Sequence, residues 1–164
     1  MIDSRAVIFD LDGTLADDTH RQHLICEAPD FKRLLPNPQW EEYFFLCGSD
    51  SPIIPMVRLC KLYFWSGYEV LIWTGRSELV HEHTVEWLKR HKIYYDSLKM
   101  RSLDDKVTPN WKLKLGWYKQ LEEDLIVECA FDDCNKITKM WRDVGVHCCQ
   151  VGDTDTSQEE ETRK

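Results

Sequence analysis

Short apolar runs recur along the chain, and each stops abruptly on polar residues. The first covers residues 5–10 and ends in Asp10. The second is Glu69-Val70-Leu71-Ile72-Trp73-Thr74, followed by Gly75-Arg76-Ser77, which read as a turn. A third spans residues 93–99 and precedes Met100-Arg101. The fourth, residues 125–131, runs into Asp132-Asp133, and a fifth spans residues 146–151. Runs of this length and apolar content predict buried strands. Between them apolar residues fall at helical spacing: Met56, Leu59, Cys60, Tyr63 and Phe64 within 53–66; Leu79, Val80, Val85, Trp87 and Leu88 up to about His91; Leu113, Leu115, Trp117 and Leu121 within 112–121; Ile137, Met140 and Trp141 within 135–144. The boundaries carry their own signals. Pro52 and Pro55 open the first of these helices, Ser77 can cap the second with Glu78 behind it, and Gly67 and Gly145 end two of them. Strands alternating with helices predict an α/β fold with a mainly parallel five-stranded sheet.

Residues 17–52 break this rhythm. Pro29, Pro36 and Pro38 argue against one long helix, while Trp40, Tyr43, Phe44 and Leu46 suit a short amphipathic helix over 38–47. The segment reads as a small cap inserted after strand one, able to exclude water from a site below it. The rest, residues 1–152, reads as one domain. Residues 153–164 are acidic and lack apolar periodicity, so a frayed tail is expected.

The composition narrows the class. At 164 residues and 43% hydrophobic, the chain can bury one respectable core, to which seven tryptophans contribute. A net charge of −8 does not favour a broad nucleic-acid surface, although one basic pocket for a phosphate remains compatible with it. The seven cysteines are odd in number and have no C-x-x-C spacing, which fits reduced thiols packed as small hydrophobes. No signal peptide and no membrane-spanning run is seen, so a soluble cytoplasmic protein with no membrane partner is expected.

In open α/β sheets ligands bind beyond the carboxyl ends of the strands. That rule sets Asp10, Thr74, Arg101 and Asp132 along one rim. Asp10 and Asp12, two apart in an extended chain, can face one site, and carboxylates that close call for a hard cation such as Mg²⁺ or for a shared proton. Asp132 and Asp133 stand where they can bind the same ion. The Thr74 hydroxyl and the amides after Gly75 can bond a phosphate oxygen, and Arg76 and Arg101 can match phosphate in a bidentate way. Either Lys112 or Lys114 can neutralise that phosphate. His20-x-x-His23 and His81-x-His83 have no partner pair to complete a zinc site.

The string Asp10-Leu11-Asp12-Gly13-Thr14-Leu15 resembles the first motif of the haloacid dehalogenase superfamily. Thr74 resembles the second motif, Lys114 the third and Asp132-Asp133 the fourth. Within the superfamily the chain most resembles the phosphatase domain of bacteriophage-type polynucleotide kinases and their small stand-alone phage relatives. The residues behind this are Arg21, Thr74-Gly75-Arg76, Met100-Arg101, Asp132-Asp133 and the run from Lys139 to Val146. Asn110 stands where that family often has an acid.

The resemblance implies a three-layer Rossmann-like fold and an Mg²⁺-dependent phosphomonoesterase working through an aspartyl-phosphate. Asp10 would be the nucleophile and Asp12 the proton donor and acceptor. Thr74 and Lys114 would bind the transferring phosphoryl group, and Arg21, Gly75, Arg76 and Arg101 the substrate. Asp10, the Asp12 carbonyl, Asp132 and Asp133 would hold the metal. The implied substrate is a polynucleotide 3′-phosphate end. Free 3′- or 5′-mononucleotides are an alternative, and a non-catalytic nucleotide-binding module is a second alternative of another class. No G-x-x-x-x-G-K-[ST] loop occurs, so no kinase activity is expected. The oligomeric state is not legible.

Overall fold

The computed structural model of the chain describes residues 4–26, 38–105, 107–122 and 124–154. Five strands form one sheet: β1 (Ser4–Phe9), β4 (Glu69–Ser77), β5 (Ser97–Arg101), β6 (Leu125–Cys134) and β7 (Cys148–Thr154). Their order is β5-β4-β1-β6-β7, and every neighbouring pair is parallel. β1 is thus central. Its last four residues are almost wholly buried because both faces of the sheet are covered.

The two faces hold separate cores. Val7, Phe9, Val70 and Ile72 point to one side, where α3 (Ile54–Trp65) and α4 (His81–Arg90) bring Val57, Cys60, Trp87 and Leu88. Ala6, Ile8, Leu71 and Trp73 point to the other, where α5 (Asn110–Tyr118) and α6 (Asn135–Asp143) bring Trp111, Leu115, Ile137 and Trp141. The alternation along each strand is the pleat itself. The expected α/β layering is therefore present, with the five strands all parallel. Among the described residues no helix is long and apolar enough to cross a membrane.

Several boundaries differ from the expected ones: the fourth strand runs on to Cys134, the helix expected at 112–121 is Asn110–Tyr118 and the one expected at 38–47 is Pro38–Phe45. Three others have a local reason. The third strand is Ser97–Arg101, not 93–99, because Ile93 is buried in the turn after α4 and Asp96 closes onto the start of β4: its amide donates to the Val70 carbonyl and its carboxylate accepts from the Val70 amide. The fifth strand begins at Cys148 because the Val146 amide is used on the Trp141 carbonyl at the end of α6. Gly75-Arg76-Ser77 belong to β4, not to a turn. Between the pairs Trp73–Lys99 and Ser77–Arg101, β4 carries more residues than β5 and bulges. Bulges re-aim side chains at sheet edges, and this one carries Arg76.

The inserted segment contains β2 (Ala16–Asp17), α1 (Thr19–Cys26), α2 (Pro38–Phe45), a 3₁₀ turn (Leu46–Ser49) and β3 (Ser51–Pro52), which pairs antiparallel with β2. Its own cluster, Tyr43, Phe44 and Cys47, packs on Val80 and Met100 of the main body. Pro29 and Pro36, and the tail from Asp155 onward, lie outside the described residues.

Candidate active site

Two groups of charged side chains meet at the end of β1. The first contains Asp10, Asp132, Asp133 and Lys114. Asp10 follows β1, Asp132 and Asp133 lie near the end of β6, and the two strands are paired, so their termini coincide. One carboxylate oxygen from each of the three acids lies within 4.8 Å of the others. Lys114 reaches in from the buried face of α5, and its Nζ donates to Asp10 Oδ1 and to Asp132 Oδ2, both at 2.6 Å. Lys112 instead is exposed and lies over the Trp111 ring. Trp111, Lys114, Leu115 and Tyr118 share one helical face, which the spacing could have told.

Burial raises the Asp10 pKa, Lys114 opposes this, and Asp132 and Asp133 raise it further; the net shift is well upward. Burial disfavours the Lys114 ammonium, yet Asp10 and Asp132 outweigh that and lift its pKa. Gly13 lies against the same group. It has φ +75°, and a Cβ there would run into the Asp133 carboxylate. Three converging hard oxygen donors with one ammonium among them fit a divalent cation such as Mg²⁺. Among the described residues this is the one such convergence, and the histidine pairs take no part in it.

The second group contains Asp12, Arg21, Arg76 and Asp50. The Asp12 side chain turns away from the carboxylate cluster toward two arginines. Arg76 donates to it through Nε, at 3.0 Å to each oxygen, and through Nη2 at 2.5 Å; Arg21 donates through Nη2 at 2.5 Å. Asp50 closes the network from beneath. It accepts from Arg21 Nε and Nη2, both at 2.7 Å, from Arg76 Nη2 at 2.6 Å, and shares a 3.0 Å contact with His20 Nε2. The Trp87 indole N–H binds the Asp50 carbonyl at 2.7 Å. Arg21, Arg76 and Asp50 are all buried. Burial would raise the Asp12 pKa, but Arg76 and Arg21 override it and hold the carboxyl below its ordinary value. Both arginines are pushed above their ordinary values by Asp12, against burial.

The remaining residues named from the sequence also gather at this rim. Thr74 is fully buried, and its hydroxyl accepts from the Arg76 amide at 3.1 Å. Arg101 is buried at the end of β5; it donates to Asn110 Oδ1 at 2.5 Å and to the Gly75 carbonyl at 3.4 Å, and pairs with Asp105 at 3.3 Å. Gly75 allows Asn110 to approach, since a Cβ would stand 2.6 Å from its side-chain oxygen. Tyr43 and Phe44 are core of the insertion. Asp50 was not legible. In Ser49-Asp50-Ser51-Pro52 it looks like an ordinary turn acid, and no local pattern signals two guanidiniums converging on it.

The family model of the polynucleotide kinase PNKP phosphatase domain matches residues 39–156, which take in Thr74, Arg76, Arg101, Lys114, Asp132 and Asp133, while Asp10 and Asp12 precede the match. A chain of the solved Pnkp1/Rnl/Hen1 RNA repair complex is 27% identical, with a TM-score of 0.73 over 93% of this chain and 43% of that one. A second structure of that complex gives 28% identity and a TM-score of 0.70 over 92% and 47%. This chain thus spans less than half the length of those proteins. A haloacid dehalogenase-like hydrolase from Streptococcus pneumoniae shares the fold at 16% identity, with a TM-score of 0.59 over 94% of this chain and 89% of that one.

Proposed function

Since the chain belongs to the polynucleotide kinase PNKP phosphatase domain family, and so to the phosphatases of the haloacid dehalogenase superfamily, we propose that it removes the 3′-phosphate from a polynucleotide end, through an aspartyl-phosphate on Asp10. The observation that carries this is the division of the rim: Asp10 stands among carboxylates and one ammonium, while Asp12, two residues on, is held by two arginines. Nucleophile and proton carrier are thereby separated in role.

Asp10 attacks phosphorus in line, and the bond to the leaving sugar oxygen breaks. Asp12 gives that oxygen its proton. Arg21 and Arg76 make the protonated form of Asp12 the scarcer one, so Asp12 must take up a proton before it donates, and they stabilise the carboxylate left behind. In the second step Asp12 takes a proton from water as the water attacks phosphorus, and Asp10 is released with inorganic phosphate. Lys114 and Thr74 face the transferring phosphoryl oxygens. Mg²⁺ would be held by Asp10, Asp132, Asp133 and the Asp12 carbonyl, and its charge would offset that of the phosphoryl oxygens. Arg21 and Arg76, already engaged with Asp12 and Asp50, serve by holding Asp12; Arg101 would reach substrate only by giving up its contacts with Asn110 and Asp105. The insertion over 17–52 is a cap whose inner side carries Arg21 and Asp50. Membership of RNA repair complexes by the matched proteins supports a nucleic-acid end as substrate.

Phosphate release with Mg²⁺ tests this on a 3′-phosphorylated oligonucleotide, 3′- and 5′-mononucleotides and a sugar phosphate. The oligonucleotide should be preferred. Preference for mononucleotides would replace end repair by a nucleotidase, and nucleotide binding without turnover would mark a binding module.

A further inference from the structure

Arg21 is held by oxygen around the edge of its guanidinium. Nε meets Asp50 Oδ1 at 2.7 Å, Nη1 meets the Tyr43 carbonyl at 3.2 Å, and Nη2 meets Asp12 Oδ1 at 2.5 Å and Asp50 Oδ2 at 2.7 Å. Such bonds fix the group within its own plane. They resist tilting out of that plane far less, because hydrogen bonds tolerate broad angles at the acceptor. The face is covered by an aromatic ring: the guanidinium carbon lies 4.0 Å from the Tyr43 ring centroid. A desolvated guanidinium over an aromatic face is attracted by the ring quadrupole. Arg76 has no such ring among the described residues and grips Asp12 through two nitrogens instead.

The ring is itself fixed. Tyr43 is buried, and its ring meets Trp40 at 5.5 Å and Phe44 at 5.6 Å, both edge-on. Its hydroxyl donates to Asp18 Oδ2 at 2.6 Å, and burial raises its pKa, so it remains a donor. The cluster rests on Val80 and Met100 of the main body.

We propose that Tyr43 is a positioning residue for the leaving-group acid: its ring is the shelf that keeps the Arg21 guanidinium level, and through Arg21 it holds Asp12 where the departing oxygen takes its proton. This rests on the reading of Asp12 given above. The insertion then serves the chemistry from behind the acid. A tilted Arg21 displaces Asp12 and slows proton delivery, while Asp10, Lys114 and phosphate binding are untouched.

The test compares two substrates. p-Nitrophenyl phosphate has a leaving group that needs little protonation, whereas the sugar oxygen of a 3′-phosphorylated oligonucleotide needs it fully. Tyr43→Phe keeps the shelf and loses only the Asp18 bond, so both activities stay within about twofold of wild type. Tyr43→Leu removes the shelf: kcat/KM, which reports leaving-group departure and not the later hydrolysis of the aspartyl-phosphate common to both substrates, falls by about tenfold or more on the oligonucleotide, and its loss on p-nitrophenyl phosphate is several times smaller. The ratio of the two rates is independent of the fraction of protein folded. Equal losses on both substrates, wild-type kinetics of Tyr43→Leu, or a Tyr43→Phe defect as large as that of Tyr43→Leu each overturn the proposal. Asp12→Asn is the control, expected to show the same bias more strongly. If it shows none, the reading of Asp12 fails and the proposal with it; if it shows the bias and Tyr43→Leu does not, the shelf alone is wrong.

Discussion

The two halves of the site both set carboxylates against cationic side chains, but in different proportions. Around Asp10, three carboxylates crowd together, and one ammonium pairs with two of them, Asp10 and Asp132. Around Asp12, two carboxylates face two guanidiniums, and the charge closes on itself. Carboxylates crowded in a buried place are costly unless a cation sits among them. We propose that the first half receives one. The second needs no ligand, and its cost is met inside the chain by packing two arginines against Asp50. On the proposed reading one half binds a cation, and the other holds a single side chain still.

The widest separation should come from Asp10→Asn. Turnover falls at least about 10⁴-fold, while the melting temperature stays the same or rises, because a carboxylate with an upward-shifted pKa has left a crowded site. Substantial turnover would remove Asp10 from the nucleophile's role, and a large loss of stability would contradict the picture of crowded, buried carboxylates. Asp50→Ala should do the reverse. Two buried guanidiniums lose a shared counter-charge, which costs about 3–5 kcal/mol in urea unfolding. A cost below about 1 kcal/mol, as for a surface ion pair, would show that the second half is not closed in the way described.

Cation binding sharpens the contrast next. Magnesium at about a hundred times its dissociation constant should raise stability by about 2.7 kcal/mol. Asp132→Asn should abolish that rise in thermal melts, and Asp50→Asn should keep it. A rise that survives in Asp132→Asn would move the ion elsewhere. The smallest effect concerns Asp18, behind the Tyr43 shelf. Burial and the nearby Asp12 raise its pKa above 3.8, against the Tyr43 hydrogen bond. The native state thus holds this proton more tightly than the unfolded chain. Its contribution to stability is full below the unfolded value and is lost as pH rises through the folded one. Asp18→Asn should therefore gain stability relative to wild type as pH rises from acid toward neutrality. A gain in the opposite direction would mean that the Tyr43 bond outweighs burial.

Much of the first half was legible. Asp10, Asp132 and Asp133 follow apolar runs, and a parallel sheet brings strand ends together. Even the choice of Lys114 over Lys112 was available from helical spacing, since Lys114 shares the face of Trp111, Leu115 and Tyr118. The second half was half hidden. Arg21 and Arg76 were singled out, but as groups facing substrate; their engagement with Asp12 and Asp50 was not foreseen. Gly75-Arg76-Ser77 read as a turn because glycine before an arginine and a serine suggests one, whereas pairing with β5 draws them into a bulged strand.

By itself the sequence determined the layered parallel fold and the rim of acids, because both follow from local periodicity and from a general rule about strand ends. Only the tertiary structure decided that Asp12 faces arginines, that Asp50 balances them and that Tyr43 underlies one of them. Those contacts join residues 9, 29, 64 and 22 positions apart. Their pairing depends on where the insertion comes to rest on the sheet. A buried charge takes whatever counter-charge the fold brings within reach, and no local pattern records which one that is.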